Sequence, residues 1–456
     1  MKGKDKQKNK IKKTFDIIHE VIVKCRPIII FGIILLIPII YVLYLFNVNR
    51  YIAPELIQTD IVFSLDIYYR YFLVILAVMH FYEIIYNRKK PSISDWFLYL
   101  FLIMTVVSTF FAYDLETALY GFPYRNEGLY TLLFYGFLYL NCKEINNEKY
   151  VLRMSRIIIF YAFIHLYAVV LQFTGIFENV FFKYNTDDAI GLTDNCNFLG
   201  SLMCMLSMIT SAAFILKLQK RSIYYLIFFI ISYVTLLFAN STGPFISFVF
   251  TFVLFIIYGL VKKCLVKKNA IIITLLILVL YPVVLSYKDD ITPEIKSNVM
   301  YFVNKFQGEN KNDTSDKEED LTGYQLGHGR IRIWTNVWKV VKESPWIGYG
   351  PDNLAYPYYD MIEQHRIVDK AHNVYLHIWS SSGIFALIGY LGLVILNVKD
   401  GFKSKNPLVI CLLFGIIAYS VQAIFNINVN EVTPFFYIFM GFMVGLFNKK
   451  EQEASF

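Results

Sequence analysis

Charged residues are scarce in this chain. Only 17% of its 456 residues are Asp, Glu, Lys or Arg, and 57% are apolar. About a quarter of the residues in a soluble domain are charged, so this composition excludes an ordinary soluble protein and indicates one that crosses a membrane several times. The net charge of +8 then reflects basic residues that set membrane topology and contact anionic lipid headgroups. It does not indicate a nucleic-acid partner.

Patterns for metal or nucleotide binding are also missing. The six cysteines have no metal-ligand spacing, and only Cys196 falls in a segment assigned below to the outside, so no outer disulfide is predicted. The sequence contains no Asp-x-Asp pair and, in its cytoplasmic segments, no Gly-rich phosphate loop before a helix. The adjacent pairs Asp187-Asp188 and Asp289-Asp290 are expected to be solvated. The sequence therefore predicts no metal and no cofactor.

Long apolar runs are what the chain has instead. Backbone polar groups inside lipid must be paired within their own segment, which favours complete helices. The sequence predicts an all-α polytopic membrane protein with about twelve transmembrane helices of about twenty apolar residues each. They are placed at 27–47, 68–86, 95–112, 127–141, 154–174, 197–217, 223–239, 244–262, 270–287, 374–397, 407–425 and 432–448.

The distribution of Lys and Arg predicts the orientation. Basic residues concentrate in the opening tail, in Arg88-Lys89-Lys90 and in Lys262-Lys263, which puts both termini inside by the positive-inside rule. The long connection between spans nine and ten then faces outside. The predicted organisation is a basic cytoplasmic tail at 1–26 that is expected to be disordered, spans one to nine within 27–287, an extracytoplasmic loop domain at 288–373, spans ten to twelve within 374–448 and a cytoplasmic tail at 449–456.

The outer loop has two parts of different character. Residues 308–320 (GENKNDTSDKEED) are charged and predict a flexible, solvated segment. Residues 330–343 predict an amphipathic helix that lies on the membrane surface or caps the bundle. Its apolar positions recur at helical spacing, at Ile331, Trp334, Trp338 and Val341.

His372, just before the tenth span, is the candidate base. The positive end of a helix macrodipole disfavours an imidazolium, and a neutral imidazole is the form that accepts a proton from a hydroxyl. Arg330 and Arg332 lie on the same outer loop and offer charge-assisted hydrogen bonds to a diphosphate. A base beside phosphate-binding arginines at a membrane surface indicates group transfer from a lipid-linked phosphate. The alternatives are a structural histidine and two interfacial arginine anchors.

Several segments resemble a known family. Residues 368–376 (VDKAHNVYL), followed by Gly383 and Gly389, resemble the signature of the O-antigen ligase/polymerase superfamily. Upstream, 327–330 (GHGR) with Trp334 and 345–350 (PWIGYG) are similar to the segment that precedes the histidine of that family. Weaker similarities continue elsewhere in the chain, at 124–128 (YRNEG), 195–200 (NCNFLG) and 418–422 (AYSVQ).

The resemblance implies a metal-independent membrane glycosyltransferase that moves a glycan from an undecaprenyl-diphosphate carrier to an acceptor, with inversion at the anomeric carbon. It implies that His372 is the base or acceptor-orienting group and that Arg330 holds the diphosphate. One position departs from the pattern, because Thr242 stands where the family has an arginine. Arg125, on another outer loop, is the candidate replacement. Further substrate-binding candidates are Arg332, Asn373 and Asn197.

Three functions remain open at the level of the sequence. One dominant outer loop favours a ligase over a polymerase of the same superfamily, since such polymerases more often have two sizeable outer loops. The acceptor is a glycan, a lipid, a wall polymer or a protein. A transporter of lipid-linked oligosaccharides is the alternative from another class. It is disfavoured because the charges Asp66, Arg70 and Glu83 lie near span ends rather than along a pathway. The predicted location is the plasma membrane of a bacterium.

Overall fold

Helices make up all the regular structure that is described. The computed structural model describes residues 2–50, 65–88, 90–174, 188–193, 195–220, 222–285, 329–362 and 367–454. Within these ranges every regular element is an α-helix, which confirms the all-α prediction. The predicted flexible segment 308–320, together with Gly327 and His328 of the family-like segment, lies outside the described residues.

The helices are numbered here in chain order. They are α1 (Lys2–Arg50), α2 (Leu65–Asn87), α3 (Ile93–Phe110), α4 (Leu115–Tyr120), α5 (Leu129–Lys143), α6 (Glu148–Thr174), α7 (Cys196–Ile215), α8 (Ile223–Phe238), α9 (Thr242–Val261), α10 (Lys267–Leu285), α11 (Arg330–Glu343), α12 (Ala355–Met361), α13 (Val374–Lys403), α14 (Pro407–Gln422) and α15 (Thr433–Ala454).

The number of membrane spans is confirmed only in part. Each of the predicted spans overlaps one of these helices. Among the described residues, eight helices are long and apolar enough to cross a membrane, and the shorter helices α8 and α14 are also apolar. The chain is therefore a helical membrane protein, and the count of about twelve spans remains a prediction.

The N-terminal tail differs from its prediction. Helix α1 runs from Lys2 into the apolar part without a break, so the tail is helical rather than disordered. Lys and Gln are good helix formers, and a helix that is already formed propagates readily into such residues. Arg26, at the end of the tail, is buried and donates to Glu83 Oε1 of α2 at 2.8 Å. This ion pair ties α1 to its neighbour.

Helix α7 lies at the centre of the bundle. Its apolar stretch is buried along its whole length, and the helix packs against α8, α9 and α14. Small side chains such as Gly200, Ser207 and Ala212 permit this, because helices in lipid associate through close backbone approach. A Cβ on Gly200 would stand 3.0 Å from Ser241 Cβ. The central position of α7 fixes the residues at its start, which belong to the site described below.

Helix α13 packs mainly against α3 and is interrupted at Gly383, where φ is +82°. Residues 345–350 dock on the interruption. Ile384 N donates to Pro345 O at 2.9 Å, Tyr349 N donates to Ser380 O at 3.1 Å, and Gly350 N donates to Ser381 O at 2.9 Å. Backbone groups at a helix break in a membrane need such partners. The outer loop is thereby attached to the span.

The predicted outer segments contact one another at one end of the bundle, called here the outer end. Tyr113 N donates to Tyr349 O at 3.1 Å, and Asn430 Nδ2 donates to Arg125 O at 3.1 Å. Segments predicted inside also meet each other, as Val266 N donates to Ile215 O at 3.2 Å. The side of the membrane that each end faces stays a prediction.

The amphipathic helix predicted at 330–343 is present as α11, with its buried face turned from the predicted one. Val337, Val340 and Val341 are buried, whereas Ile331 and Trp338 are 43% and 42% exposed. The compact valines pack under α11, where they contact Leu354 and Tyr358 in a small apolar cluster. The bulkier side chains stay at the surface, as is usual for amphipathic helices at an interface.

Candidate active site

His372 has a backbone conformation that is fixed from both sides. Its φ is +49°, in the left-handed region that non-glycine residues rarely adopt and that persists only where the surroundings impose it. Trp334 Nε1 donates to the carbonyl oxygen of His372 at 3.4 Å. Asn373, the next residue, caps α13 by accepting from Leu376 N at 2.9 Å. The backbone of His372 is thus held by contacts from α11 and from the start of α13.

His372, Arg330 and Asn197 line one cavity of about 210 Å³ at the outer end. Arg330 Nη2 donates to Asn197 Oδ1 at 3.5 Å. The hydroxyl of Ser241 donates to the same oxygen at 2.7 Å. Three of the sequence-predicted site residues, widely separated along the chain, therefore surround a common space.

Four helices begin at or beside the wall of this cavity. Asn197 is in the first turn of α7, Thr242 opens α9, Arg330 opens α11, and His372 precedes α13 by two residues. The first N–H groups of a helix have no partner within it and carry a partial positive charge. Caps already accept from first-turn N–H groups of α7 and α13, but the positive ends of the helix dipoles and the Arg330 guanidinium still make an environment suited to an anion such as phosphate.

The imidazole of His372 is neutral in this environment. Burial is the larger cause and the positive charge of Arg330 the next, and together they lower the pKa of His372 to about 4. Asp369 acts in the opposite direction. A neutral imidazole has one nitrogen that accepts a proton, so His372 is in the form that the sequence argument requires.

The other predicted residues lie elsewhere. The guanidinium of Arg125 is paired with the carboxylate of Asp369 through Nε, and Arg125 is not among the residues that line the cavity. Arg332, on α11, is partly exposed and does not line it either. The side-chain oxygen of Asn373 caps α13. Roles in substrate binding for these three residues stay predictions.

Asp188, which the sequence predicts to be solvated, is half-buried and lines the cavity together with Asn240. Asn240 Nδ2 donates to Asp188 Oδ1 at 2.9 Å. The local sequence shows only an acidic pair, and the tertiary contact with the start of α9 decides where the carboxylate lies.

A buried ionic cluster next to His372 could not be read from the sequence. Lys370 is 1% exposed, and its Nζ lies 2.8 Å from Glu127 Oε2 and 2.6 Å from Asp352 Oδ1. Phe122 N also donates to Asp352 Oδ2 at 2.7 Å. Burial by itself would lower the pKa of Lys370, but the two carboxylates raise it above its usual value. Lys370 is therefore a charged residue that joins three outer segments two positions before His372.

The part of the chain that the structure describes holds no group of three His, Cys, Asp or Glu side chains arranged for a metal ion. That the reaction proceeds without a metal remains a prediction, and it rests on the cationic groups that the cavity offers to a diphosphate.

The bundle and its cavity define a helical membrane protein with a site suited to an anionic substrate at one end. A family model described as O-antigen ligase matches residues 226–391, a range that contains Arg330, Asp352, Lys370 and His372. The match over 226–391 supports membership of the O-antigen ligase superfamily, whose members are membrane glycosyltransferase-like enzymes. No curated protein matches the chain.

Proposed function

We propose that the chain is an O-antigen ligase-type glycosyltransferase. It moves a glycan from undecaprenyl diphosphate to an acceptor hydroxyl on the outer face of a bacterial plasma membrane. The observation that carries the proposal is the meeting of Arg330, a neutral His372 and several helix N-termini around one cavity. The helix N-termini and the guanidinium suit a diphosphate, and the imidazole suits a hydroxyl that must lose its proton.

The reaction is a single displacement. The acceptor oxygen attacks the anomeric carbon from the face opposite the diphosphate, the bond between that carbon and the phosphate oxygen breaks, and the diphosphate leaves with the electron pair. The proton of the hydroxyl passes to His372. Attack from the opposite face inverts the configuration. Arg330 and the helix N-termini stabilise the charge that grows on the leaving group.

Binding of the donor raises the pKa of His372. An imidazole with a pKa of about 4 is a weak base. A bound diphosphate brings negative charge beside it and offsets the field of Arg330, and nearby negative charge raises the pKa of a histidine. His372 thus becomes a stronger base when the donor is in place, which couples proton transfer to donor binding.

The N-terminus of α9 is a candidate for the second contact to the diphosphate, and it was not among the candidates from the sequence. Thr242, at the position of the missing family arginine, is the first residue of α9 and lines the cavity. The positive end of the α9 dipole at Thr242 favours an anion there without a side-chain cation. Arg125 is engaged by Asp369, so the α9 N-terminus is the better candidate for this contact.

Turnover of a synthetic undecaprenyl-diphosphate glycan in liposomes tests the proposal, with products followed by mass spectrometry. His372→Ala should abolish transfer. Arg330→Lys should lower kcat/KM by roughly tenfold to hundredfold, since one charge-assisted hydrogen bond contributes about 1.5–3 kcal/mol and Lys cannot reproduce the planar fork of Arg. Excess chelator should leave the rate unchanged.

His80→Ala is the matched control, because His80 is partly buried in α2 and bonds to Tyr99 away from the cavity. It should retain wild-type transfer. If the wild-type protein carries the intact lipid-linked glycan across the bilayer without cleaving the diphosphate ester, the chain is a transporter and the proposal is wrong.

A further inference from the structure

A second cavity at the outer end, of about 400 Å³, has no part in the reaction described above. Aromatic rings dominate its wall, accompanied by one carboxylate and by the aliphatic side chains of Ala355 and Ile367. The residues on which the argument depends are Tyr113, Phe122, Tyr356, Tyr359, Asp360 and Ile367.

The rings are held in a defined arrangement. Tyr113 and Tyr356 lie parallel, with centroids 5.7 Å apart and an interplanar angle of 4°. Phe122 meets Tyr356 edge-on, with centroids 6.4 Å apart. The hydroxyl of Tyr356 is within 2.9 Å of Thr117 Oγ1, and the hydroxyl of Tyr113 donates to Asp360 Oδ2. The polar ends of both tyrosines are anchored, so their faces are preset.

This chemistry fits a pyranose ring. The face of an aromatic ring is electronegative and attracts the C–H groups on the flat side of a sugar. A carboxylate offers about four acceptor positions, and the Tyr113 hydroxyl takes one on Asp360, which leaves capacity for sugar hydroxyls. An acyl or polyprenyl chain would cover Asp360 without giving it a hydrogen bond, and that burial is unfavourable.

The two cavities are close along the chain. Ile367 lines the aromatic cavity and His372 lines the first one. Five residues of fully extended chain span at most about 18 Å, so a short oligosaccharide reaches from one cavity to the other. Phe122, on the aromatic wall, is also bonded through its N–H to Asp352, which pairs with Lys370. The same scaffold therefore supports both cavities.

We propose that the aromatic cavity is a saccharide subsite that holds the acceptor glycan while its reactive hydroxyl reaches His372. The proposal rests on the proposed function and extends it, because it makes the acceptor a carbohydrate rather than a protein or an unglycosylated lipid.

Direct binding tests the subsite without any donor. The full chain in lipid nanodiscs is mixed in turn with chitobiose, cellobiose and lactose, and saturation-transfer NMR reports contact with each disaccharide. At least one should bind. The double variant Tyr113→Ala/Tyr359→Ala should weaken that binding by about tenfold, or ~1.4 kcal/mol. Both side chains are more than 40% exposed, so their removal leaves the fold intact.

Trp346→Ala is the control, since Trp346 is an exposed aromatic residue that lines neither cavity. It should bind the disaccharide as the wild type does. If none of the three sugars receives saturation, or if the signal is the same in the double variant, the subsite is refuted. If these tyrosines transfer saturation only to lipid acyl chains and to none of the sugars, the subsite is also refuted.

Kinetics separate this proposal from the proposed function. With the lipid-linked donor present, the double variant and Asp360→Asn should raise the KM for the acceptor glycan by about tenfold. Their kcat and donor KM should stay within about twofold of wild type. A fall in kcat at unchanged acceptor KM contradicts the subsite. Disaccharide binding without any transfer by the wild type contradicts the proposed function and the acceptor role, while the cavity remains a sugar site.

Discussion

His372 is half-buried and lies near the cation of Arg330, and both conditions hold its imidazole in the neutral form. The charged groups that face it come from several elements. Arg330 and Arg125 disfavour protonation, as does His377 on α13, whereas Asp369 favours it. Since burial and positive charge dominate, protonation of His372 in the free protein is shifted far below the usual range of histidine.

This shift predicts the acid limb of the activity profile. Only the neutral imidazole accepts a proton, so activity is present above the pKa of His372 and is lost as the pH falls through it. The pH profile of kcat/KM reports the free enzyme and should decline near pH 4 rather than near 6.5. In Arg330→Gln the residual activity should decline at higher pH, because the cation that lowers the pKa is gone. A wild-type limb near 6.5 would contradict this assignment.

The connection that leads into α13 is the element on which the site depends. Its residues are held one after another, Asp369 by Arg125, Lys370 by Glu127 and Asp352, and His372 by Trp334. Lys370 contributes most to holding this connection in place, because its buried ammonium neutralises the carboxylates of Glu127 and Asp352 from two other outer segments. Removing one partner from a buried ion pair leaves the others unpaired and without water.

Lys370→Met should therefore destabilise the protein by about 3–5 kcal/mol, measured by thermal unfolding in detergent. Lys403→Met is the matched control. Lys403 also forms an ion pair, with Asp400 at 2.6 Å, but its side chain is 54% exposed, and exposed pairs contribute about 0–1 kcal/mol. Equal melting temperatures for the two variants would show that the cluster has no structural role.

The interruption of α13 gives a second prediction at the scale of an element. A Cβ on Gly383 would lie 2.0 Å from Trp346 O, and the backbone there has a φ of +82°. Gly383→Ala should lower the free energy of unfolding by more than the about 1–3 kcal/mol expected from the backbone conformation alone. It should also release residues 345–350 from the break. Gly32→Ala is the control, because nothing lies within 4 Å of the added carbon. A melting temperature of Gly383→Ala equal to that of Gly32→Ala would contradict the docked arrangement.

At the scale of the whole molecule, native cysteines test the proposed topology. Cys196 and Cys264 are both partly exposed and lie at opposite ends of the bundle. A membrane-impermeant maleimide should label Cys196 in intact cells and Cys264 only after permeabilisation, as read by peptide mass spectrometry. Cys204 is buried and should remain unlabelled in both. Labelling of Cys264 in intact cells would invert the topology.

The sequence predicts the helices well and their contacts poorly, for one physical reason. Lipid requires long apolar segments with paired backbone groups, so length and apolarity locate the helices. The prediction of His372 and Arg330 as site residues rests on residue type and loop position, which are local properties. The pairing of Lys370 with Glu127 joins residues far apart in the sequence, and neither charge has a local sign of burial. The turned face of α11 depends in the same way on what packs beneath it.

The docked loop, residues 345–350, is synthesised before the interrupted helix α13 that it contacts. Residues 345–350 precede Ser380 and Gly383, so the hydrogen-bond partners of the break in α13 exist before the break enters the bilayer. In the proposed topology these residues are already on the outer side of the membrane when α13 inserts. Had the segment followed α13 instead, a broken helix would stand in lipid with open carbonyl groups, each costing several kcal/mol. The sequence order thus removes an unstable stage from membrane insertion.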